Sequence, residues 1–66
     1  MKFSKILKEL RQERNMTQKQ LSAKLGVTDS SIRDWELRGR QPSYETLCEI
    51  AKILGVTVGQ LLGVED

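Results

Sequence analysis

The chain has 66 residues, of which 38% are hydrophobic and 5% aromatic, so it predicts one small domain with a modest, helical core. A single cysteine, Cys48, and no histidine exclude a disulfide framework and argue against a zinc site. No apolar run reaches the roughly 18 residues of a membrane span. The net charge of +2 divides unevenly: residues 1–40 hold ten basic and five acidic side chains, +5, and residues 41–66 hold one and four, −3. One end therefore suits a polyanion, although a plain solvated basic surface accounts for the same charges.

Lys2, Lys5 and Lys8 alternate with apolar residues, which is not the pattern of a signal peptide, so a cytoplasmic location is expected. Phe3, Ile6, Leu7, Leu10 and Arg14 recur at helical spacing and predict an amphipathic helix over 3–14, broken by Asn15. Thr17 starts a second helix over 18–25, with Gln20 as the partner of a capping box and Gly26 as the left-handed exit. Leu21 and Leu25 are placed on its buried side.

Thr28 caps a third helix over 29–38, where Asp29 complements the helix dipole and Ile32 and Trp35 point inward. Gly39-Arg40-Gln41-Pro42 reads as a loop. Ser43 caps a fourth helix over 44–54, with Leu47, Ile50, Ala51 and Leu54 as its stripe and Gly55 as its stop. Thr57 caps a short fifth helix over 58–62, with Val58, Leu61 and Leu62 inward and Gly63 at its end. No linker, low-complexity tract or internal repeat is evident. The polar Glu65-Asp66 fits a natural terminus or a boundary before another domain.

The informative stretch is Gln18 to Arg38. Counted from Gln18, small Ser22 stands fifth and Gly26 ninth, with Leu21, Leu25, Val27, Ile32 and Trp35 as the apolar set. Ser22 must be small because the next helix crosses close above it, and Gly26 permits the turn. Together they predict a helix-turn-helix.

The chain also resembles the phage-repressor family of helix-turn-helix domains, the group of lambda Cro and the lambda repressor, often called Xre-like. The resemblance spans about residues 4–63. It is carried by Met16-Thr17-Gln18-Lys19-Gln20-Leu21-Ser22, Leu25-Gly26-Val27-Thr28, Ser31-Ile32-Arg33-Asp34-Trp35-Glu36, and Gln41-Pro42-Ser43 leading into Leu47, Ile50-Ala51 and Leu54-Gly55-Val56. It implies an all-α, lambda-repressor-like five-helix bundle whose third helix enters the major groove of double-stranded DNA. It also implies a homodimer on a two-fold operator. Two positions depart from the pattern: Ser22 replaces the usual alanine, and the glycine after the third helix, Gly39, comes one residue late.

Base reading is expected from the outer side of the third helix, at Asp29, Ser30, Arg33 and Asp34. Arg33 has the fork that pairs with guanine, and Ser30 suits either base type. Asp29 serves equally as a plain dipole cap. Asp34 is either a base contact, a holder of a neighbouring arginine, or a solvated charge that disfavours wrong sites.

Phosphate binding is expected at Gln18, Lys19, Thr28, Arg38 and Arg40, the role of Gln18 coming specifically from the resemblance. Lys19 and Lys24 are equally explained as solubilising charges. The resemblance further implies a structural ion pair between Arg11 and Glu36, and a dimer contact at Val58 and Gln60. Ordinary core packing accounts for Val58 as well. Glu45 and Glu49 are expected in solvent, and Cys48 is expected to be a small buried hydrophobe.

The function expected is that of a transcriptional repressor, cytoplasmic and associated with the nucleoid through DNA. No cofactor, metal, membrane or small-molecule ligand is expected in this domain. The other reading is a protein-interaction module on the same fold, an antitoxin or regulatory partner domain, favoured by the acidic Asp29 and Asp34. An enzyme is disfavoured by the lack of histidine, of a nucleophile–base constellation and of a glycine-rich phosphate loop.

Overall fold

Local capping chemistry divides the chain into five helices. In a computed structural model, which describes residues 2–65, these are α1 (Lys2–Glu13), α2 (Gln18–Leu25), α3 (Asp29–Leu37), α4 (Tyr44–Leu54) and α5 (Val58–Leu62). Met1 and Asp66, the latter part of the polar tail, lie outside the described residues. No strand occurs among the described residues, and none of their helices is long and apolar enough to cross a membrane.

α1 buries Phe3, Ser4, Leu7 and Arg11, positions three or four apart that share one face. Asn15, at φ 56°, ends this segment in the left-handed region, which asparagine enters more readily than most residues. Arg11 rather than Arg14 holds the polar place on the buried stripe. Arg14 lies just past the helix, half-exposed, its Nη1 donating to the Leu10 carbonyl at 3.2 Å.

At α2, Thr17 Oγ1 accepts from the Gln20 amide at 3.0 Å, and the Thr17 amide donates to Gln20 Oε1 at 2.8 Å. Two donors that the first turn leaves unpaired are thereby satisfied. The Thr57–Gln60 pair repeats this box at α5, whereas at α3 and α4 the Thr28 and Ser43 hydroxyls accept from the Ser31 and Thr46 amides without the return bond. α3 ends one residue before the position expected. Arg38 caps it at φ −107°, Gly39 takes the left-handed place at φ 70°, and the Arg40 amide reaches the Asp34 carbonyl at 3.4 Å. The late glycine therefore still closes the helix, from one residue further on.

The core is drawn from every helix. α1 packs on α3 and α5, α2 on α3 and α4, and α4 on α5. Leu7, Leu21, Ile32, Ile50 and Leu61, one from each helix, are fully buried at its centre. Leu25, Val27 and Val58 are only partly buried and pack around this centre. Cys48 is likewise half-buried, not buried as expected, because it sits about 100° around α4 from Leu47.

Candidate nucleic-acid interface

α3 has one face committed to the protein and one to solvent. Ile32, Trp35 and Glu36 are buried, which turns Ser30 and Arg33 outward; Asp29 is exposed as the first residue of the helix, and Asp34 is half-exposed between the faces. Thr28 Oγ1 accepts from the Ser31 amide at 3.2 Å and lies 3.1 Å from Ser31 Oγ. Ser31 is thus occupied with the cap, leaving Ser30 as the exposed hydroxyl of the first turn. Among the described residues no carboxylate lies within ion-pair distance of Arg33 or Arg40.

Asp34 does reach an arginine. Its Oδ1 lies 3.5 Å from Arg38 Nε, four residues on, with the Arg38 side chain 72% exposed. Such a surface pair contributes at most about 0.5 kcal/mol, so its consequence is positional. It keeps Arg38 beside the α3–α4 loop that carries Arg40.

The buried charges lie at the junction of α1, α2 and α3. Arg11 Nε donates to Glu36 Oε2 at 2.7 Å, and Nη2 donates to Oε1 at 3.0 Å. Arg11 Nη1 continues to the Met16 carbonyl at 2.7 Å, and Gln18 Nε2 donates to Glu36 Oε1 at 3.1 Å. The Glu36 side chain is fully buried, and no buried side-chain polar atom among the described residues lacks a partner. These bonds set the start of α2 beside the last turn of α3, at the end from which Arg38 and Arg40 project. Gln18 is thereby fixed against Glu36, two residues before Arg38, and Lys19, Thr28, Arg38 and Arg40 are all exposed.

The remaining expected positions lie elsewhere. Val58 and Gln60 belong to α5, which packs on α1 and α4 rather than on α3. Val58 is half-buried against the core, and Gln60 Oε1 accepts from the Thr57 amide at 3.0 Å. Glu45 and Glu49 are exposed on α4, beside Tyr44, which is 68% exposed. Interaction with the Cys48 thiol, hydrogen bonding first, raises the Tyr44 phenol above its ordinary pKa of 10.0.

Sequence reasoning missed two tethers. Ser4 Oγ donates to the Trp35 carbonyl at 2.5 Å, pinning α1 to the end of α3. Its signal was available, since Ser4 shares a face with Leu7 and Arg11. The Gln18–Glu36 bond had no local signal.

Residues 7–61 match the sequence profile of the family described as helix-turn-helix. The chain belongs to that family, in its phage-repressor-like (Xre-like) branch. It is 40% identical over 64 residues to the uncharacterized HTH-type transcriptional regulator YqaE of Bacillus subtilis, covering 97% of this chain and 55% of that protein. It is 38% identical over 66 residues to the HTH-type transcriptional activator BcrR of Enterococcus faecalis, covering 100% of this chain and 32% of the relative. The immunity repressor protein of Bacillus phage phi105 is 37% identical over 59 residues, covering 89% of this chain and 41% of the relative.

Among solved structures, FeII HppE in complex with substrate superposes with a TM-score of 0.82 at 32% identity, over 89% of this chain and 34% of that one. The chain spans about half or less of each of these relatives, so the family's helix-turn-helix unit is what they share with it.

Proposed function

We propose that this chain is the sequence-specific double-stranded DNA-binding unit of a transcriptional regulator, a repressor that binds a two-fold operator as a homodimer. The observation that carries the reading is the division of α3. Ile32, Trp35 and Glu36 fix the helix, Arg33 and Ser30 stand exposed on the other side, and Asp29 is exposed at the helix start.

In this reading α3 lies in the major groove. The guanidinium of Arg33 donates two hydrogen bonds to O6 and N7 of a guanine, and Ser30 and Asp29 meet neighbouring base edges. Asp34 acts through Arg38, holding it toward a phosphate. Gln18, Lys19, Thr28 and Arg40 supply the other phosphate contacts, which position the domain without reading sequence. A dimer built through Val58 and Gln60 doubles the sequence read and sets half-sites about 34 Å apart. The names of the relatives include both a repressor and an activator. Repression is favoured here because an operator-bound domain needs only to block polymerase.

The test is selection of duplexes from a random pool, followed by anisotropy titration against scrambled DNA at physiological salt. A two-fold-symmetric consensus bound about 10³-fold or more above scrambled sequence is expected. Affinity should also fall steeply with salt, as phosphate contacts require. Weak, unselective binding abolished by salt would instead favour the protein-interaction reading, for which exposed Asp29 on α3 is the supporting feature.

A further inference from the structure

The Glu36 carboxylate has one partner more than a strut between helices needs. Arg11 alone gives it a bidentate ion pair, at 2.7 and 3.0 Å. The third donor, Gln18 Nε2, comes at 3.1 Å from the first residue of α2. A carboxylate only accepts hydrogen bonds, so the nitrogen side of the Gln18 amide must face it. That NH2 group carries a second N–H, which diverges from the first, and the Gln18 side chain is half-exposed. If the amide flipped, its carbonyl would meet the buried carboxylate and the nitrogen would lose its acceptor.

We infer that Glu36 is a positioning residue for phosphate binding: it holds the Gln18 amide so that one N–H faces the DNA backbone, in fixed register with the α3 face. The inference rests on the DNA-binding reading above. It gives the Arg11–Glu36 pair a second task besides joining α1 to α3. The base-reading helix and the first phosphate donor of α2 then share one carboxylate, and a shift of either disturbs the other. A phosphate accepts from the held N–H without any reorientation of the side chain.

The experiment is a double-variant cycle on the selected duplex, with Gln18→Met, Glu36→Met and both together, accompanied by thermal denaturation of each. Methionine keeps the length of Gln18 and removes its donors. Gln18→Met should weaken binding about tenfold in the wild-type background, as expected for a hydrogen bond to a charged group. With Glu36→Met already present, which removes both acceptor oxygens at similar length, it should weaken binding less than about twofold, because the amide is no longer held. Equal losses in both backgrounds would overturn the inference. So would lower melting temperatures that come without this non-additivity.

If Glu36→Met does not fold, NMR of the wild-type side-chain amides decides. The Gln18 amide proton bonded to Glu36 should be protected from exchange before duplex is added, and the other should move on binding. Exchange as fast as that of exposed Gln12 would contradict the inference. Wild-type protein that binds no duplex would overturn the DNA reading and this inference together. Binding without non-additivity would overturn this inference alone.

Discussion

The same four residues occur at two turns of the molecule. Leu25-Gly26-Val27-Thr28 joins α2 to α3, and Leu54-Gly55-Val56-Thr57 joins α4 to α5. Both turns fold alike, with Gly26 at φ 72°, ψ 30° and Gly55 at φ 73°, ψ 33°. The Val27 amide donates to the Ser22 carbonyl at 3.0 Å, and the Val56 amide to the Ala51 carbonyl at 2.9 Å. Even the small residue four places before each glycine is buried, Ser22 at 5% exposure and Ala51 at 4%.

The helices that start at the two threonines differ. α3 runs nine residues and turns Asp29, Ser30 and Arg33 to solvent, whereas α5 runs five, Val58–Leu62, and carries no charge. The small residue and glycine that mark a helix-turn-helix therefore specify the turn. The proposed reading of DNA by α3 rests instead on the side chains that helix exposes.

A glutamate stands eight residues after each threonine, and the largest contrast lies there. Glu36 is buried against Arg11, whereas Glu65 is exposed and bonded to the Thr57 hydroxyl. Glu36→Ala should cost about 3–5 kcal/mol, because it leaves the Arg11 charge uncompensated inside the protein. Glu65→Ala should stay within about 0.5 kcal/mol. Urea denaturation of both variants checks this, and comparable losses would show the two positions to be equivalent after all.

The glycines sharpen the comparison in the other direction. A Cβ added at Gly26 or at Gly55 meets no atom within 4 Å, so each substitution costs only backbone strain. Gly26→Ala and Gly55→Ala should each lose about 1–2 kcal/mol in thermal denaturation, with nearly equal melting temperatures. Unequal losses would mean that packing beyond the shared four residues governs one of the turns.

The parts of this fold legible in the sequence are those whose partners lie within one turn of each other. Thr17 and Gln20 announce their capping box because both halves lie in one segment. The same rule applies to Thr57 and Gln60, although reading Gln60 only as a dimer contact misses their bond. Bonds across 18 and 31 residues, from Gln18 to Glu36 and from Ser4 to the Trp35 carbonyl, depend on how helices meet, which spacing along one helix cannot express. A search for internal repeats also misses the recurrence of Leu-Gly-Val-Thr, which is far shorter than the roughly 20–50 residues of a structural repeat. On α3, Ser30 and Arg33 were legible because the buried positions Ile32 and Trp35 leave them by subtraction, whereas Asp34 is only half-exposed and Leu37, 66% exposed, was not in the expected set.

Arg33 offers the smallest expected stability effect and the most direct test of the central claim, that the exposed face of α3 reads DNA. It is exposed and unpaired among the described residues, so Arg33→Ala should leave stability within about 0.5 kcal/mol of wild type. The measurement is titration of wild-type and Arg33→Ala protein against the selected duplex and its single-base-pair variants. The account predicts that Arg33→Ala loses about 1–3 kcal/mol of discrimination at one base pair per half-site and keeps its preference elsewhere. Unchanged discrimination at every position, with stability intact, would contradict it.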